Sequence, residues 1–60
     1  MMIETLRTFS GVPAGTRGTC EVDGNEFKIT WDLPERRGGK PLVDWFTKDE
    51  KERFLKEVAS

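Results

Sequence analysis

Two alternating runs joined by a glycine turn, Thr16 to Val22 and Glu26 to Trp31, commit the middle of this 60-residue chain to an antiparallel hairpin. In the first run Thr16, Gly18, Cys20 and Val22 share one face while Arg17, Thr19 and Glu21 share the other, the period of a half-buried strand. In the second, Phe27, Ile29 and Trp31 oppose Glu26, Lys28 and Thr30. Asp23-Gly24-Asn25 lies between them, and two registers keep the apolar faces together. A loop at Asp23-Gly24 sets Glu21 against Glu26, which is repulsive. A type II′ loop at Gly24-Asn25 sets Glu21 against Lys28, Thr19 against Thr30, Val22 against Phe27 and Cys20 against Ile29. The second is preferred. It puts Gly18 opposite Trp31, where the missing side chain leaves room for the indole to lie across the sheet.

The flanks extend this unit. Residues 2–9 are rich in β-formers, although Ile3 and Leu6 fall on opposite faces of a regular strand, which a bulge or a doubly buried strand would reconcile. Ser10 to Gly15 bends the chain, with Pro13 suited to the second position of a type I turn and Gly15 to the fourth. Residues 32–40, with Pro34, Gly38 and Gly39 among charges, read as a solvated connection. Residues 41–46 resume as a strand, with Val43 and Trp45 on one face and Leu42, Asp44 and Phe46 on the other. Thr47-Lys48-Asp49-Glu50 is a capping box that starts a helix over residues 48–58. Its apolar stripe is Phe54, Leu55 and Val58, and Asp49/Arg53, Glu52/Lys56 and Arg53/Glu57 are spaced as ion pairs around it. About three turns are marginal alone, so the stripe has to dock on the sheet or on a partner.

A chain this short forms one domain and buries only roughly 60% of the surface its unfolded form exposes. Apolar and charged residues each make up 35%, too ordered for a tail and too polar for a membrane span, so two Trp and four Phe must supply much of a thin core. The net charge of −1, mixed along the sequence, gives no footprint for nucleic acid or anionic lipid. Residues 1–10 lack the apolar core of a secretory signal, no membrane segment is present, and one cysteine forms no internal disulfide, so a cytoplasmic setting is expected. With no histidine and a single Cys20, neither a cofactor nor a metal site is expected.

The stretch Gly15-Thr16-Arg17-Gly18-Thr19-Cys20, followed by the glycine hairpin and Phe27-Lys28-Ile29-Thr30-Trp31-Asp32, resembles a strand pair of small SH3-like barrels. Those proteins include KOW-type domains and accessory subunits of redox and photosynthetic complexes. The resemblance covers about half the chain. With the periodicity it implies a mainly β fold: a small, SH3-like curled antiparallel sheet or barrel with one C-terminal α-helix.

Few residues offer chemistry. Cys20 reads as a small buried core residue rather than a reactive thiol, since it shares the inward face with Gly18 and Val22. Asp32, Glu35 and Asp44 read as solvated charges, because no spacing pairs them for acid–base work. Trp31, Trp45 and Phe46 are either core or a stacking platform or cage for a cation. Arg17, Arg36, Arg37 and Lys40 form the one anion-facing set, with Gly38 and Gly39 loosening the backbone between them. These features favour a non-enzymatic interaction module that binds a protein partner or larger complex through Arg17, Arg36, Arg37, Lys40, Trp31 and Trp45. The alternative is a nucleic-acid-binding barrel for RNA or single-stranded DNA, in which the tryptophans stack and the cations meet phosphates.

Overall fold

The computed structural model describes residues 1–33 and 38–58. Along the chain come β1 (Met2–Thr5), β2 (Arg17–Asp23), β3 (Glu26–Trp31), β4 (Val43–Thr47), α1 (Lys48–Phe54) and β5 (Leu55–Glu57). The central hairpin takes the register favoured by its cross-strand charges, with Glu21 opposite Lys28, Thr19 opposite Thr30, Cys20 opposite Ile29 and Gly18 opposite Trp31. Gly24 has a φ of 63° and no described non-glycine residue has a positive φ, which gives the Gly24-Asn25 loop its type II′ hand.

All pairings are antiparallel, in the order β4-β3-β2-β1-β5. The fold is mainly β, one sheet with a short helix before its last strand, and β4 and β5 remain its two edges, so it does not close as a barrel. In a flat sheet those edges would lie roughly 19 Å apart. Yet Phe9 stands edge-on to Phe46 of β4 at 5.6 Å between ring centres, and to Phe54, next to β5, at 5.9 Å. One ring spans from one edge to the other because the sheet curls around its inner face. There Ile3, Val12, Cys20, Ile29, Trp31, Leu33, Phe46 and Leu55 form the core.

Three elements differ from the sequence reading. First, β1 stops at Thr5 instead of running to Phe9. The Thr5 hydroxyl donates to the Arg7 carbonyl at 2.7 Å and accepts from its N–H at 3.3 Å, turning the chain and leaving Leu6 exposed. No bulge is needed to reconcile Ile3 with Leu6. Two tight turns follow. In Phe9–Val12 the Val12 N–H donates to the Phe9 carbonyl at 2.9 Å with Gly11 at φ 77°; in Pro13–Thr16 the Thr16 N–H donates to the Pro13 carbonyl at 3.1 Å with Gly15 at φ 90°. Gly15 is therefore third in its turn, where a positive φ makes type II, and Pro13 is first.

Second, β4 is shifted by a residue or two, to Val43–Thr47 from the expected 41–46. Third, α1 ends at Phe54 rather than residue 58, and Leu55 is already extended at φ −123° and ψ 151°. The following residues pair with the free edge of β1: Thr5 with Leu55, Glu4 with Lys56 and Ile3 with Glu57. Flanking bonds run from the Leu6 N–H to the Phe54 carbonyl at 2.7 Å and from the Val58 N–H to the Met2 carbonyl at 3.0 Å. Continuing the helix would leave the β1 edge without these partners, and unpaired backbone groups near a core are costly. The helical spacings Glu52/Lys56 and Arg53/Glu57 are lost with the last turn, and the Lys56 ammonium instead meets Glu4 at 3.4 Å.

Candidate functional site

The binding residues expected from sequence do not converge on one surface. Trp31 is buried, and its indole N–H donates to Asp44 Oδ2 at 2.7 Å. Its ring packs edge-on to Phe46 at 6.3 Å, so it belongs to the core and offers no stacking face. Arg17 lies on the outer face of β2, where its Nε is 3.5 Å from Glu4 Oε1. Lys56 reaches the same carboxylate from β5, making a row of charges across three strands. Lys40 is exposed. Arg36 and Arg37, with Glu35, lie outside the described residues.

Trp45 is different, being 51% exposed on β4. Its indole N–H donates to Asp23 Oδ2 at 3.0 Å, which fixes the ring against the outer face of the sheet. Arg17 and Trp45 point to the same outer face, yet two strand spacings and four residues of rise separate them by roughly 16 Å. A single small ligand does not reach both.

Two open grooves mark the surface. The larger, about 430 Å³, is lined by the Pro13–Thr16 turn, Arg17, Asp32 and Leu33. Its walls are already engaged: the N–H groups of Gly15, Thr16 and Asp32 donate to the carbonyls of Thr5, Pro13 and Arg17, and the Arg17 side chain pairs with Glu4. The amides of Gly15, Thr16 and Asp32 are therefore not available to an anion.

The second groove, about 310 Å³, runs beside the free edge of β4, between the Phe9–Val12 turn and the start of α1. Phe9, Ser10, Asp44, Trp45, Phe46 and Glu50 line it. Both carboxylates are held in place. Asp44 Oδ2 receives the Trp31 indole N–H, and Glu50 Oε1 receives the Thr47 backbone N–H at 2.9 Å, completing the capping box in which Thr47 Oγ1 accepts from the Glu50 N–H at 3.2 Å. Each carboxylate carries a second oxygen beyond the one used in these bonds. Phe9, Phe46 and two anchored acids thus meet at one sheet edge, with the Trp45 indole turned onto the outer face of the same strand.

Cys20 is buried, and burial pushes its thiol pKa up, outweighing the opposing pull of Lys51. A protonated, enclosed thiol is a poor nucleophile. Among the described residues no group of three His, Cys, Asp or Glu side chains is disposed to hold a metal ion, and no helix is long and apolar enough to cross a membrane.

No protein-family model matches the chain, and neither does any curated protein or solved structure. The site therefore rests on its own geometry. Sequence reading singled out Trp45, Phe46 and Asp44 separately but did not assemble them with Phe9, Ser10 and Glu50, because turn, strand and helix start come together only when the sheet curls.

Proposed function

We propose that this domain is a non-enzymatic interaction module that docks a protein partner in the groove beside β4. The observation that carries the reading is the half-exposed Trp45 indole, anchored by its bond to Asp23 on the outer face of the sheet, on the same edge strand that lines the aromatic groove. A large ring already fixed in place loses little freedom on binding and brings a large apolar area to an interface, which is why tryptophan recurs at binding hot spots. The curled antiparallel sheet, whose last strand returns to the first, supports the kinship with small SH3-like barrels, a framework that carries many unrelated binding activities. A cytoplasmic setting goes with this reading, since the buried lone thiol needs no oxidising partner.

The nucleic-acid alternative is weaker at this surface. Asp23 is hydrogen-bonded to the exposed indole, and Asp44 and Glu50 line the neighbouring groove, so the charge along β4 repels the phosphates that supply most of the affinity in such complexes.

Capture of partners from cell extract by the wild-type domain and by Trp45→Ala and Arg17→Ala variants tests the proposal. A protein retained by wild type and Arg17→Ala but lost with Trp45→Ala is the expected result. Equal retention by all three, or none by any, overturns it.

A further inference from the structure

Resting on that reading of β4, we infer that the partner protein docks as an extended segment that pairs antiparallel with the free edge of this strand and sets a basic side chain beside Asp44. In an antiparallel ladder every second residue turns both of its backbone groups to the neighbouring strand. Leu42, one step beyond the pair of Thr30 with Val43, accepts the Trp31 N–H at 3.0 Å, so Asp44 and Phe46, opposite Ile29 and Phe27, also face β3. Val43, Trp45 and Thr47 therefore turn their N–H and C=O groups outward. The Thr47 N–H is taken by Glu50 Oε1 at 2.9 Å, which closes one end of the edge, and no described residue bonds to the outward groups of Val43 or Trp45. The far edge of the sheet is guarded, since β5 has three residues and carries Lys56 and Glu57. β4 has five residues, with neither lysine nor proline to block an incoming strand.

An added strand presents its side chains alternately to the two faces of the sheet, which suits a binding surface divided between them. The segment residue opposite Trp45 stands on the outer face beside the half-exposed indole, where a β-branched side chain makes a favourable cross-strand pair. Its two neighbours turn inward, over the 310 Å³ groove. One meets Phe46 and Phe9 and is apolar. The other meets Asp44, already held by the Trp31 indole at 2.7 Å, and a cation there brings the opposite charge. Read along the segment, the pattern is apolar, β-branched, basic. A second copy of this chain fits the edge poorly. Pairing β4 with itself about Trp45 sets Asp44 opposite Phe46 and leaves the two Asp44 carboxylates diagonal to each other on one face, with no cation from either strand.

The test titrates the full chain with the end-capped peptide Ser-Leu-Val-Arg-Val-Ser, followed by amide and indole N–H resonances and by hydrogen exchange. The peptide is expected to move the Trp45 indole N–H and the amides of residues 43–46. It should slow exchange of the Val43 and Trp45 amides about tenfold or more, while those of Asp44 and Phe46, already bonded to β3, change little. N-methylation of the first valine, whose N–H donates to the Trp45 carbonyl, abolishes binding; N-methylation of the arginine, whose N–H points away from β4, does not. Glutamate in place of arginine binds about tenfold more weakly. Asp44→Asn keeps an acceptor oxygen for Trp31 and narrows that preference several-fold. If Asp44→Asn does not fold, the N-methyl and glutamate peptides decide alone. No binding at millimolar peptide, equal loss from both N-methyl groups, arginine no better than glutamate, or protection that grows with the concentration of the protein alone overturns the inference. This failure is distinguishable from failure of the module itself. A partner protein lost with Trp45→Ala, whose complex leaves the Val43 and Trp45 amides unprotected, keeps the interaction module and removes the added strand; failure of both removes the β4 surface altogether.

Discussion

A Cβ built on Gly18 would lie 2.8 Å from the Thr30 carbonyl oxygen and 3.2 Å from both Ile29 Cγ2 and Trp31 Cε3. The backbone there is not in the left-handed region, so space alone demands glycine: the Trp31 ring lies across the position its cross-strand partner leaves empty. Trp31 is fixed at its other end by the bond to Asp44, and Asp44 is one wall of the proposed site. The residue that must be absent at position 18 is thus linked through one indole to a carboxylate that must be present on β4. Gly18→Ala forces a backbone or ring shift and should cost about 1–3 kcal/mol, the usual range for overpacking a filled core. For a domain of this size that lowers the melting temperature by roughly 4–8 °C per kcal/mol, readable by thermal unfolding. The Trp31 indole N–H resonance should move with it. An alanine variant as stable as wild type, with that resonance unmoved, would mean that the glycine makes no room for the ring.

At the scale of the elements, local signals were the legible ones. The hairpin register followed from the repulsion of Glu21 by Glu26 in one pairing and its attraction to Lys28 in the other, one residue on the first strand, two on the second and a glycine between. The start of α1 followed from four consecutive residues, and both bonds of the capping box are present. Removing the Thr47 hydroxyl in Thr47→Ala leaves the Glu50 N–H without its side-chain acceptor and should cost about 0.5–2 kcal/mol in urea unfolding, with Thr47→Ser close to wild type. Indistinguishable midpoints for the alanine and serine variants would show that the cap does not hold the helix. What was not legible was the end of that helix. The residues from Leu55 onward carry a good helical stripe, but the edge of β1 claims them, and nothing near them in sequence reveals that an edge is waiting. The end of β1 was hidden for a different reason, since a threonine hydroxyl bonded two residues ahead overrides a run of β-formers. The candidate groove was legible only in fragments: Trp45, Phe46 and Asp44 alternate visibly on one strand, whereas Phe9 and Ser10 come from a turn on the far side of the sheet order.

For the molecule as a whole, the short last strand does more than its length suggests. β5 covers the outer edge of β1, brings the buried Leu55 into the core, and holds α1 so that Phe54 meets Phe9, which in turn reaches Phe46 on the opposite edge of the sheet. The curl that assembles the groove therefore depends on a strand of three residues at the other end of the strand order. A chain of this size has little burial to lose, since small domains hold only a modest surplus of stability. Deleting residues 55–60 removes the β1 partner and the Leu55 packing together. The shortened chain should lose its cooperative thermal transition and the spread of its amide resonances, including the shifted indole N–H of Trp31. If the central hairpin and β4 instead kept a native-like spectrum without β5, the meander would be the independent folding unit. The groove beside β4 would then owe nothing to the far edge of the sheet.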